Sequence, residues 1–333
     1  MHGGTAKVGG NRATYVFLAP INNLVLTDSV NFEFKVINVT FIDGNKLYRI
    51  RKRIGIPHRI STLKKNPMFN NFLKVSKVYA TTRLTGTLST LKPQFFNIAR
   101  DELALLNLSL LGYSRRRERD FLYISEDCPS CLFLNSTNAR FEFLNNPSPL
   151  SLDGTWVNCG KRSFYLDLLK ILRNETRIRI AASWVDDLKR ASILAGQSQC
   201  SYDIPQAFLF NMIALELLIT QRGDKVKDAL PARAESFLGW IGFWEIDDYP
   251  EKIKDIYEKR CSLVHQGSRN EISLDDLIFT DNLLLNLLNN IVRHISLFRT
   301  KQDIIDFSKK VEAEHILGIR QRVRPKTMTF VRP

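Results

Sequence analysis

The stretch Ile256-Tyr257-Glu258-Lys259-Arg260-Cys261-Ser262-Leu263-Val264-His265-Gln266-Gly267 continues a helix that Pro250 opens and Gly267 closes. Pro suits a first turn and Gly an exit. Together with Ile253, the residues Ile256, Tyr257, Arg260 and Val264 recur at the spacing of one helix face. Arg260 breaks that face, because it stands where the pattern asks for Leu or Ile. A guanidinium there must meet an anion, since burying an unpaired charge costs several kcal/mol. The anion is either a carboxylate, with Glu216 on the preceding helix the leading choice, or a phosphate brought by a substrate. Five residues on stands His265, whose imidazole can exchange protons near neutral pH.

The neighbouring segments are helical too. Phe164, Leu168, Leu169, Ile171 and Leu172 begin one amphipathic run, and Phe208, Met212, Leu215 and Ile219 trace another, entered through Asp203 and Pro205. A long helix is expected from Ser273 to about Phe298. Ser273 and Asp276 have capping-box spacing, and Leu277, Leu284, Leu287, Leu288, Ile291 and Ile295 supply a broad apolar surface. At roughly 26 residues it would span about 39 Å.

Residues 1–150 have a different texture. Val30 to Ile42 alternates Phe32, Phe34 and Val36 with polar neighbours up to a turn at Phe41-Ile42-Asp43-Gly44-Asn45, and Lys46 to Ile54 alternates again, which predicts a hairpin. Further strands are expected within Val75 to Leu91 and Arg140 to Leu144, with a helix over Pro93 to Leu111. The turn-rich run from Asn145 to Gly154 is the expected linker. The fold class is therefore α+β: a mostly β N-terminal domain over 1–150, an all-helical bundle over 151–318, and a basic tail over 319–333.

With 333 residues, 44% hydrophobic and 25% charged, the chain has the composition of an ordinary globular protein. No apolar run approaches the roughly 18 residues needed to cross a bilayer, so no membrane partner is expected. Five thinly spread cysteines do not form a secreted disulfide framework, and a cytoplasmic location follows as the expectation. Cys128-Pro129-Ser130-Cys131 is half of a zinc site, but no second pair completes it, so no metal and no cofactor are expected.

The net charge of +14 is uneven: residues 1–150 hold 21 Lys/Arg against 10 Asp/Glu, and 151–333 hold 27 against 24. A field of that sign attracts polyanions. Arg49, Arg51, Lys52 and Arg53 form one basic cluster, and Arg115, Arg116 and Arg117 another; both are candidate RNA contacts, and solvated surface explains them equally well. Alternation would set Arg49, Arg51 and Arg53 on one strand face, with Tyr48 nearby for base stacking.

The segment from Ile256 to Gly267 resembles the signature of HEPN domains, in which Arg is followed after four to six residues by His. The helix from Phe208 to Ile219, with Ala214-Leu215-Glu216, looks like the family's central helix. The likeness covers about 110 residues, 203–312, and is nearest to the Apea-like branch, where a helical module follows a non-helical region. Arg51 and Arg53 also precede His58 at allowed spacings, but Gly55 and Pro57 intervene and rule out the required helix. Cys261 departs from the Asn, Asp, His or Ser that active relatives often carry after the arginine.

This resemblance implies a metal-independent endoribonuclease. The ribose 2′-hydroxyl attacks the adjacent phosphate, leaving a 2′,3′-cyclic phosphate and a 5′-hydroxyl; His265 handles protons, Arg260 neutralises charge on the phosphate oxygens, and Glu216 and Tyr257 support them. Residues five apart on a helix differ by about 140° in direction, so a two-fold homodimer is expected to bring the pairs together. The resemblance also implies a role in antiviral or abortive-infection defence, with the N-terminal domain sensing an unidentified trigger. The alternative is a non-catalytic HEPN module for dimerisation or RNA binding.

Overall fold

The structure, a computed structural model, describes residues 13–21, 24, 26, 33–56, 59–111, 124, 130–134, 141–144, 163–201, 203–238 and 249–318. The chain is α+β and divides into two compact units. The first takes in the described residues up to 103 together with 124–144, and the second takes in 104–111 and 163–318. The expected linker at 145–154, the cluster at Arg115 to Arg117, His58 and the tail at 319–333 all lie outside the described residues.

In the first unit β1 (Ala13–Ile21), β2 (Glu33–Lys35), β3 (Thr40–Asp43), β4 (Val78–Gly86), β5 (Ser130–Leu134) and β6 (Phe141–Leu144) form one sheet in the order β2-β3-β4-β1-β5-β6. Its pairings are antiparallel, and β1 pairs with β4 from Ala13↔Gly86 to Ile21↔Val78. Alternate side chains of β1 serve opposite faces. Val16 and Leu18 join a core with Ile42, Leu47, Leu63, Phe69, Phe72 and Tyr79, while Phe17 stacks on Phe95 at a centroid distance of 4.9 Å.

The unit is mixed rather than mostly β, because the chain between β3 and β4 is helical: α1 (Leu47–Ile54), α2 (Ile60–Lys65) and α3 (Pro67–Phe72). Residues 46–54 were expected to form a strand. Leu47, Ile50 and Ile54 are spaced three and four apart, and all three meet the core, so a helix buries them on one side where a strand could not. The hairpin is instead β2–β3, tightened by the Val36 N–H donating to the Val39 carbonyl at 3.0 Å. Its turn amides are held by the next helix, α4 (Leu88–Asn107). The buried Glu102 carboxylate accepts from the backbone N–H groups of Ile37, Asn38 and Val39 at 2.7–3.0 Å. β4 and β6 fall within the stretches where the sequence placed strands, whereas α4 begins at Leu88, inside the expected strand stretch and five residues before the expected Pro93, and ends at Asn107, short of Leu111.

The second unit holds α5 (Ser163–Leu172), α6 (Ala182–Cys200), α7 (Ile204–Ile219), α8 (Val226–Leu238), α9 (Tyr249–Gln266), α10 (Leu274–Arg293) and α11 (Lys301–Ile316). Its axis is α10, buried at every residue from Asp276 to Val292. The Ser273 hydroxyl accepts from the Asp276 N–H and the Asp276 carboxylate accepts from the Ser273 N–H, completing the capping box.

Helix α10 stops at Arg293, short of the expected Phe298. His294 takes φ −112°, ψ 28°, and the apolar spacing of Ile295 and Phe298 is used by a turn. That turn is pinned from outside, for the Trp184 indole N–H donates to the Phe298 carbonyl at 3.1 Å and Phe298 meets Phe307 edge-on. Polar side chains from three helices meet inside the bundle. The Gln199 amide donates to Asp281 at 3.0 Å, and the Asn211 amide donates to Asp281 at 2.8 Å and to Thr280 at 2.9 Å. Among the described residues no helix is long and apolar enough to cross a membrane.

Candidate functional site

Two helices of the second unit carry the site. Helix α7 starts where the Asp203 carboxylate accepts from the Gln206 N–H at 3.2 Å, with Pro205 in its first turn, and it presents Glu216 near its far end. Helix α9 ends at Gly267, whose φ of +71° suits glycine and whose N–H reaches the Leu263 carbonyl at 3.1 Å. Beyond that stop, Arg269 forms an ion pair with Asp203, and Arg260 pairs with Glu216. The two pairings run in opposite order along the helices, so α9 lies antiparallel to α7.

Arg260 and Glu216 are each 20% exposed. Nη2 of Arg260 donates to one carboxylate oxygen at 3.2 Å, while Nε stands 3.1 Å from the other. Both atoms of that second contact are sealed from solvent without an aligned hydrogen bond, so it is an ion contact in a looser geometry than a bidentate fork. Burial pushes the Glu216 pKa above its ordinary value, and Arg260 offsets this only in part. The guanidinium also lies 5.8 Å from the centre of the Tyr257 ring. Tyr257 titrates above its ordinary range, first through burial and then through its neighbour Cys261.

His265 is exposed in the last turn of α9 and makes no hydrogen bond or ion pair among the described residues. The apolar stripe expected on α9 leaves the core as it approaches this end: Ile253 and Ile256 are fully buried, Arg260 is half-buried, and Val264 is 48% exposed. Leu209, Phe210, Ile213 and Leu217 on α7 are likewise only half-buried. The chain thus brings Arg260, Glu216 and Tyr257 together, and His265 stands apart from them on its own side of the helix. An open groove of about 430 Å³ between the end of α6 and the start of α7, lined by Gln197, Ser201, Asp203, Gln206 and Phe210, holds neither Arg260 nor His265.

In the first unit the cluster at 49–53 lies on α1, not on a strand. Arg49, Lys52 and Arg53 are exposed, whereas Arg51 folds back to donate to the Tyr48 carbonyl at 2.9 Å. Arg53 pairs with Glu33. Tyr48, expected to stack on bases, is committed elsewhere: its hydroxyl donates to Asn70 at 3.2 Å and Lys64 covers its ring at 5.6 Å. Sequence reasoning also passed over Arg83 of β4, whose guanidinium lies against Gly55 at the end of α1. Comparison with protein-family models, with curated proteins and with solved structures finds no match to this chain.

Proposed function

We propose that this chain is a HEPN-type, metal-independent endoribonuclease that acts as a homodimer, with Arg260 and His265 as its reacting pair. The observation that supports this reading is the end of α9. A half-buried arginine held loosely by one carboxylate and a solvent-facing histidine five residues later lead into a helix stop beside the uncovered Val264. Glu216, with its raised pKa, holds the guanidinium until a phosphate competes for it. Arg260 then neutralises charge on the phosphate oxygens as the 2′-hydroxyl attacks, while His265 exchanges the protons. About 140° separates the two residues around α9, so the facing pair comes from a second copy seated on Val264 and the half-buried side of α7. RNA is the substrate, and a role in antiviral or abortive-infection defence follows if the first unit answers to a trigger.

A second reading rests on the same ion pair. Arg260 already has its counter-charge, so the pair also suits a non-catalytic dimerisation or RNA-binding module. Incubating the purified chain with labelled RNA in EDTA separates the two. The expected result is cleavage to cyclic-phosphate ends, lowered by about 10²- to 10⁴-fold in Arg260→Ala and in His265→Ala. Mixing these two variants should restore about a quarter of wild-type activity if each site combines residues from two copies. A wild-type chain that never cuts, beside variants that only lose stability, leaves the interaction module as the function.

A further inference from the structure

Between Asp43 and Asp101 the chain carries 13 Lys and Arg and no Asp or Glu. A chain with 34 carboxylates in 333 residues would place about six in a window that long, and this window alone supplies +13 of the net +14. Its charge is therefore not a diffuse surplus. The fold concentrates it further, because α1, α2 and α3 replace the short loop that would join the antiparallel neighbours β3 and β4.

The apolar residues of this excursion are turned into the core, with Leu47, Leu63, Phe69 and Phe72 buried and Ile50 and Ile54 packed against them. The cations are what remains outside: Arg49, Lys52, Arg59, Lys64 and Lys65 are exposed. Arg83 adds to them from β4. Gly55 has φ +92°, and a Cβ there would sit 2.0 Å from an Arg83 Nη, so the missing side chain is what admits the guanidinium. Arg49, Lys52, Arg59, Lys65 and Arg83 have no carboxylate partner among the described residues. Like charges crowded together without counter-charges repel one another, and a polyanion relieves that repulsion.

We propose that the α1–α3 excursion is a docking surface for the phosphate backbone of a nucleic acid duplex, recognised by charge and shape and not by base sequence. Lipid is the poorer fit, since a membrane-seated helix needs a free apolar face and these helices have spent theirs on the core; Met68 is their one large apolar side chain left exposed among the described residues. Single strands are also the poorer fit, because the rings of Tyr48, Phe69 and Phe72 are packed inward and cannot take stacked bases. Duplex RNA is read mainly through its shape and phosphates. The surface belongs to the first unit and does not depend on the ribonuclease reading of the second.

The test measures binding apart from cleavage. The full chain is titrated into a fluorescent 2′-O-methyl RNA duplex, which offers no 2′-hydroxyl to attack, between about 50 and 200 mM salt. Affinity should be indifferent to base sequence and fall steeply with salt. The triple variant Arg49→Ala, Lys52→Ala, Lys65→Ala should lose at least about tenfold in affinity and about three units of salt slope, one for each phosphate contact removed. Neutralising Arg222, Lys225 and Lys309, exposed cations of the second unit, should change neither. Undiminished binding by the first triple variant, an equal loss in the control triple, or tighter capture by the matching single strand or by phosphatidylserine vesicles would overturn the assignment.

Discussion

Arg49 on α1 and Arg260 on α9 project from amphipathic helices of similar design, but their surroundings are opposite. From Gly44 to Arg100 the chain holds no carboxylate, the apolar side of α1 is packed on the core, and the Arg49 guanidinium is left in solvent. Around α9 the apolar stripe itself carries the arginine into a partly closed site where Glu216 meets it. The contrast teaches that an arginine's task is set by what its neighbours leave unsatisfied. In the first region the unmet requirement is an external anion. In the second it is met internally, and must be released before any phosphate can take its place.

The contrast breaks most readily at Arg260. Replacing it with Ala should lower unfolding stability by about 3 kcal/mol, since Glu216 keeps a half-buried charge without its partner. With Arg260 gone, burial alone acts on Glu216 and drives its pKa further up, so protonation relieves the loss; the deficit against wild type should shrink between pH 7 and pH 5 in urea titrations. An equal deficit at both values would show that packing, not charge, is what Arg260 supplies.

Asp276 of α10, which meets Lys252 and Lys259 of α9, gives a somewhat smaller effect. Burial raises its pKa, but hydrogen bonds from the Ser273 backbone, Lys252, the Ser273 hydroxyl and Lys259 outweigh burial and lower it to about 2 from 3.8. A carboxylate with a depressed pKa contributes stability that is complete above its unfolded value and disappears as the pH falls through the folded one. That contribution is about 2 kcal/mol. The stability gap between wild type and Asp276→Asn should therefore be constant above pH 4 and close toward pH 2. The smallest effect is expected at Arg49, where Ala should change unfolding stability by no more than about 0.5 kcal/mol. A loss comparable to that at Arg260 would mean that the exposed cations of α1 hold the fold together, and would remove the difference between the two regions.

Helix limits were legible in the sequence wherever they rest on local chemistry. Asp203 with Pro205, Ser273 with Asp276, and Gly267 mark ends that form as expected, because a cap satisfies amides within three residues of itself. Glu216 was identified in the same way, as the carboxylate on the neighbouring apolar face. Residues 46–54 were misread because a short run with apolar Leu47, Ile50 and Ile54 also alternates well enough for a strand, and only the sheet beneath it selects the helix. The nine-residue β1 drew no notice, with Pro20 standing inside it. Nor could spacing reveal that Gln199, Asn211 and Asp281 converge, since up to 82 positions separate them.

By itself the sequence determined the α+β class, the starts of α7 and α10, the stop of α9, the uneven charge and the arginine that violates an apolar stripe, since each follows from neighbours within a turn or two or from composition alone. Tertiary structure alone decided that Glu216 closes on Arg260, that His265 faces solvent, that Arg83 reaches the end of α1, and that the basic cluster is helical. Those outcomes depend on which distant surfaces bury one another, and burial is a property of the assembled unit, not of any short segment.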